Sequence, residues 1–265
     1  GRERLVSASS LNTGISMTAT IAGPSAGGAL LILGFDTAFY ALAGLYAFSA
    51  FMIFRVRIRH QPAPSGRNMF SDIRQGLGYA YRTPIIRALL ILGSSAIFMG
   101  MMQPAIPVKV KDILGLSEIG YGVMLGLSGA GALIGAFSLF AFSNKIRKGH
   151  LLIFAMLVMN ISTALFAVAP NIFLSGVAMT LQGLAFASWM ISVPVLLQTT
   201  ASEEMRGRVM SLYFMTVLTH QLGWLIGGMG IEAFGIQTTL FIGITGSLIV
   251  SGTAILMTPA LRKAR

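Results

Sequence analysis

Apolar residues in this chain come in long blocks, and the polar residues collect between them. Eight blocks stand out, approximately Leu11–Leu33, Thr37–Phe54, Ile85–Ile106, Ile119–Phe142, Leu151–Ala169, Ile172–Leu197, Val209–Met229 and Thr238–Met257. Each is close to the roughly 20 residues that carry a helix across a bilayer. The pattern predicts an all-α, polytopic transmembrane bundle of eight spans. One connection is long, from about Arg55 to Pro84. It opens on "RHQPAPSGRN", flexible by its proline, glycine and serine content. Phe70, Ile73, Leu77 and Tyr81 then recur at helical spacing, with Asp72, Arg74 and Arg82 off that stripe. They predict a short amphipathic helix, lying on the membrane surface or packed on the bundle. Either suits a connector between two domains.

Charge sets the orientation. With the N-terminus on the cytoplasmic side, the inner loops hold Arg2, Arg4, Arg55, Arg57, Arg59, Arg67, Arg74, Arg82, Arg87, Lys145, Arg147, Lys148, Arg206, Arg208, Arg262, Lys263 and Arg265. Only Lys109 and Lys111 fall outside. Cytoplasmic loops of membrane proteins carry this excess of Lys and Arg. Both termini are then cytoplasmic, in a multi-pass membrane protein. The net charge of +11 is thereby a topology signal, and a nucleic-acid partner is not expected. Charged residues make up 10% of the chain, against about 25% in a soluble domain. The absence of cysteine excludes disulfides and thiolate chemistry, and neither a metal nor a cofactor is expected. The chain opens on Gly1, and no signal peptide precedes the first block, so a fragment of a longer protein is expected.

The chain also resembles itself. Displaced by 200 residues, Glu3 meets Glu203, and Gly23, Gly27 and Gly28 meet Gly223, Gly227 and Gly228. A short hairpin follows in both copies, with Gly34 and Gly235 at similar places. Both copies run in the same direction, as in parallel-repeat transporters.

In the first block Gly14, Gly23, Pro24, Gly27 and Gly28 spell GxxxxxxxxGPxxGG. This resembles the fifth-helix signature of major facilitator antiporters, with Ala19 where the family often has glycine. "LLQTTASEEMRGRVMSLY" (Leu196 to Tyr213) is similar to the loop between the tenth and eleventh helices of siderophore and macrolide exporters. The resemblance implies residues 1–58 as the last two helices of an N-terminal half, 59–84 as a cytoplasmic linker and 85–265 as a six-helix C-terminal half. It implies a monomeric exporter of small amphipathic compounds in the lipid bilayer, working by alternating access and exchanging substrate for protons. Small residues let helices approach closely, and Pro24 bends its helix by removing a hydrogen bond. Gly14, Gly23, Pro24, Gly27 and Gly28, with Gly223, Gly227 and Gly228, are therefore expected at the contact between halves, or in static packing. "SEEMRGRV" sets Glu204 four residues before Arg208, a favourable helical pair. Arg206 and Arg208 also suit capping of neighbouring helix ends. With Lys145 and Arg147 of "NKIRKGH" these form the expected cytoplasmic gate, or simple positive-inside anchors.

Within the spans, His220 is the one ionisable side chain, and Gln221 adjoins it. It either faces the cavity and titrates or bonds a neighbouring helix. Gln182, Trp189 and Met190 are further candidates for lining a substrate cavity, and the 16 methionines suit a pliable apolar site. No Asp or Glu lies inside a predicted span, so a proton carrier is His220 or lies in helices upstream. The alternative is an intramembrane serine protease, with Ser128 of "GLSG" and His220 as base, or a non-transporting accessory subunit.

Overall fold

A computed structural model describes residues 33–55, 69–116, 118–142 and 148–258, with Ile15, Ala19, Ala26 and Leu30. Among the described residues every regular element is helical. α1 (Phe35–Arg55) begins with Asp36 and ends on Arg55, the charge order that complements a helix dipole. Its apolar surface meets no other described element, and Phe54 is 90% exposed. α2 (Met69–Arg82) is the short amphipathic helix of the connector.

The third predicted span is longer and more broken than its hydropathy suggests. It is built from α3 (Pro84–Ser94), α4 (Ala96–Gly100), α5 (Ala105–Val108) and a π-helical turn (Lys109–Ile113). Pro84 starts it at a position where a missing N–H costs nothing. Ser94 and Ser95 donate back to the carbonyls of Ile91 and Leu92, at 2.7 and 2.6 Å, where α3 gives way to α4. Pro104 and Pro107 each remove a backbone donor near the second break. Helix continues to Ile113, so Lys109 is not the exposed loop cation that charge counting implied. It is 1% exposed. Its Nζ donates to the carbonyls of Phe166 and Ala167, and lies 4.9 Å from the centre of the Phe166 ring. Those carbonyls close the last turn of the next helix but one. That is where a helix leaves acceptors unpaired and its dipole favours a cation.

α6 (Glu118–Phe142), α7 (Lys148–Val168) and α8 (Ile172–Thr200) follow the predicted blocks closely. Asn171 caps α8 by accepting the Leu174 N–H at 2.9 Å. α6 and α8 cross with their backbones in contact. A Cβ on Gly135 would sit 2.6 Å from the Leu184 carbonyl oxygen, and one on Gly131 or Gly183 would strike the carbonyl of Thr180 or Ser128.

α9 (Glu203–Val217) and α10 (Thr219–Met257) together run 55 residues, far more than one crossing needs. Gly235, at φ 79° and ψ 167°, breaks α10 into two legs. The legs lie side by side: Gly230 faces Thr239, and Gly227 and Gly243 both face Met101. Gly34, the partner of Gly235 in the 200-residue repeat, also has positive φ, at 107°. Both positions therefore hold a backbone conformation that suits a residue without a Cβ. Among the described residues six helical stretches are long and apolar enough to cross a membrane, and Gly235 divides the last of them into two legs. The first predicted span, Leu11–Leu33, falls almost wholly outside the described residues.

The core has two layers within residues 80–258. Trp189, Tyr213, Leu89 and Leu196 anchor the one nearer α2. Met102, Met124, Phe166 and Met179 anchor the one nearer Lys109. Gly183→Leu is expected to lower the thermal midpoint of purified protein by overpacking worth about 1–3 kcal/mol. Gly228→Leu, at a position with no atom within 4 Å of its Cβ, leaves that midpoint unchanged.

Candidate functional site

The end of the bundle carrying the basic loops is held by three polar contacts. Arg208 of α9 reaches Asp72 of α2, with both Nε and Nη2 2.8 Å from Oδ1. Arg206 donates through Nε to the Gln198 carbonyl at 2.9 Å, capping the last turn of α8. The Ser202 backbone N–H donates to the Tyr79 hydroxyl at 3.1 Å. That bond holds the Tyr79 hydroxyl below its ordinary pKa by stabilising the phenolate. The expected capping by Arg206 is thus formed. The expected partner of Arg208 is different. Glu204 lines the same cavity, of about 460 Å³, but Asp72 takes the guanidinium. A same-helix pair in open solvent is worth only about 0.3–0.5 kcal/mol, whereas the Asp72 carboxylate sits in a partly shielded groove.

α2 packs on α9, as the packed reading of the connector helix expects. The packed face is not the predicted one. Gly76 and Ala80 are buried, while Leu77 and Tyr81 of the predicted stripe are exposed. Gly76 lacks a side chain, so Leu212 comes within 3.0 Å of where its Cβ would be. Close approach at Gly76 and the ion pair at Asp72 together set the face. Lys145 and Arg147, the other expected gate residues, lie outside the described residues.

The glycine motif Gly14, Gly23, Pro24, Gly27 and Gly28 also lies outside them. Its counterparts in the repeat are described. Gly223 faces the backbone of Ile97 and Gly100, and Gly227 faces Met101, so both are occupied by α4 and the residues just after it. Gly228 faces open space.

The cavity candidates do not gather around one space. Trp189 is 1% exposed, in the core between Phe186 and Tyr213, at ring separations of 6.3 and 6.4 Å. Aromatic packing at the α8–α9 contact encloses it. Met190 packs against the same core. Gln182 is tied to α7, its Oε1 accepting from Ser162 and, at 3.5 Å, from Thr163. Gln221 is exposed. His220 pairs with Trp224, whose Nε1–H donates to Nδ1 at 3.1 Å. No hydrogen bond among the described residues joins Ser128 to His220, and the Ser128 carbonyl packs on Gly183. A serine protease pair is therefore not assembled. Sequence reasoning passed over Asp72, Tyr79 and Trp224. Trp224 alone carried a signal, its place one helical turn after the half-buried histidine.

Arg208→Ala is expected to free α2 from α9. A disulfide between cysteines placed at Gly76 and Leu212 forms more slowly in that variant, and a double-mutant cycle with Asp72→Asn gives a coupling of about 0.5–1 kcal/mol.

Comparison with known proteins places the chain. The model of the Major Facilitator Superfamily matches residues 1–228 and 94–264. The multidrug efflux pump Tap of Mycolicibacterium fortuitum is 25% identical over 252 residues, covering 92% of this chain and 61% of that protein. The enterobactin exporter EntS of Escherichia coli O1:K1 is 24% identical over 268 residues, covering 100% and 64%. The crystal structure of a bacterial homologue of the human lysosomal transporter Spinster, inward-facing and unoccupied, has the same fold. It superposes with a TM-score of 0.56 at 13% identity, covering 89% of this chain and 59% of that one. The chain thus spans about three-fifths of the length of these relatives. Reversing pairs of spans, glycine-mediated packing and a family match along nearly the whole sequence have one reading: the chain belongs to the Major Facilitator Superfamily.

Proposed function

We propose that the chain is the larger part of an exporter of small amphipathic compounds, drugs or siderophores, working by alternating access. The observation that carries this reading is the family match together with two kinds of relative, a multidrug efflux pump and an enterobactin exporter. Residues 1–58 are the end of one half, 59–84 the linker, and 85–265 the other half. The surface of α1, which meets no other described element, supports that division, since a helix of one half would find its neighbours in that half. The halves rock about a site near the midplane. The stripe of Gly23, Gly27 and Gly28, bent at Pro24, seals one half against the other, and Gly228 offers a bare position opposite. Through Arg208–Asp72 and Ser202–Tyr79, the linker helix moves with α9 and transmits the displacement of its half.

Protons drive the exchange. Among the described spans, Lys109 is buried and spent on carbonyls of α7, and His220 is half-buried. His220 is the available carrier in this part of the protein. The protein works as a monomer in the bacterial inner membrane, with both termini cytoplasmic.

Gly27→Leu is expected to insert normally but to lose efflux of a fluorescent drug from intact cells. A cost of about 1–3 kcal/mol on one state of the cycle lowers the rate about 5- to 150-fold. Normal efflux by that variant removes the glycine stripe from the interface. Collapse of the pH gradient by a protonophore stops wild-type efflux; continued export without the gradient refutes proton antiport.

A further inference from the structure

His220 is held in one chemical form by a neighbour that sequence reasoning passed over. Its backbone carbonyl lies against Gly100, which fixes where the ring begins. Trp224, one helical turn on, donates Nε1–H to His220 Nδ1 at 3.1 Å. The rings meet edge to face, with centroids 5.8 Å apart and planes at 69°. An indole N–H can only donate. Nδ1 is therefore an unprotonated acceptor, and the neutral ring carries its hydrogen on Nε2. A second proton has to enter at Nδ1, where the indole N–H already points. Two N–H donors cannot share that position, so a proton that binds there displaces the indole.

Trp224 has room to leave. Gly223 and Gly227 turn their bare faces to Ile97–Met101, whereas Trp224 is 50% exposed and Gln221 beside it is exposed. Among the described residues, the elements packed on α10 place no charged partner on the imidazole. α4 and α5 contain no titratable side chain. Arg87 of α3 stacks on Tyr81, and Lys148 and His150 of α7 both lie in the first turn of that helix. On α9, Arg206 and Arg208 are paired elsewhere, Glu203 and Glu204 lie in the first turn, and Tyr213 stacks on Trp189. Glu232 on the same leg is exposed. The indole is the polar group recorded on the ring.

We propose that Trp224 is a positioning residue that holds His220 as the neutral Nε2–H form, and that proton capture at Nδ1 is coupled to departure of the Trp224 indole. The proton adds to a lone pair and no other bond is made or broken except the hydrogen bond. The consequence for transport rests on the proton-antiport reading above. Proton binding becomes a movement of a large side chain on the exposed face of the seventh predicted span, and that movement is the local event by which a proton alters the face.

The test uses the full chain in liposomes, with 15N-labelled histidine and tryptophan rings observed by NMR and His220 assigned by His220→Gln. Wild type is expected to show the Nε2–H form. Trp224→Phe should change the tautomer ratio about fivefold, the factor equivalent to one hydrogen bond of about 1 kcal/mol. Trp224→Tyr, whose hydroxyl can donate, should restore part of the bias. On acidification the Trp224 indole signal should move at the same midpoint as the His220 ring. An unchanged ratio in Trp224→Phe, or an indole signal that stays still while His220 titrates, overturns the proposal. Efflux of ethidium driven by a pH gradient supplies the second arm. Its pH profile should be displaced in Trp224→Phe and flat in His220→Gln. Profiles unchanged in both, with gradient-driven efflux intact, overturn the role in transport and leave antiport to another carrier. If wild type shows no gradient-driven efflux, the antiport reading fails, and the NMR arm still decides the coupled pair.

Discussion

Backbone contact between helices is the constraint on which the rest of this bundle depends. Lipid tails are as apolar as leucine, so spans gain little from hiding apolar side chains from them, and association rests on packing and on polar contacts. Gly131, Gly135 and Gly183 bring α6 and α8 together until each backbone lies where the other's side chains would be. Gly100, Gly223 and Gly227 do the same for α4 and the first leg of α10. With these two crossings set, the large side chains fill what remains: Trp189 and Tyr213 toward one end, Met124 and Phe166 toward the other.

Several polar groups in the apolar layer find partners whose chemistry matches their position, while Ser175, Ser192, Trp189 and Tyr213 are buried without one among the described residues. Lys109 meets carbonyls at the end of α7, where acceptors are left over. Ser94, Ser95 and Ser162 return hydrogen bonds to carbonyls three residues back, a local solution that bends or relieves the helix. Gln182 takes the hydroxyls of the neighbouring helix. His220 differs from these. Its partner is a donor on the exposed side of its own helix, and the bond is compatible with only one protonation state.

The basic end shows how the connector helix is fixed to the bundle. α2 is short, and its sequence gives it two possible apolar faces. Asp72 and Gly76 choose between them, the first through Arg208 and the second by admitting Leu212. The result ties the connector to the same α8–α9 corner that Arg206 and Tyr79 close.

The all-helical class, the positions of α6, α7 and α8, the hairpin glycines Gly34 and Gly235, and the cap by Arg206 were legible in the sequence, because each depends on local apolar length, local backbone freedom or a helix end close by in the chain. The partners of Arg208, Lys109 and Gln182, the burial of Trp189, the face of α2 and the occupation of Gly223 and Gly227 were not. Each is a choice among acceptors, faces or neighbours that a helix offers equally along its length. Only the crossing of two helices distant in sequence makes one of them available.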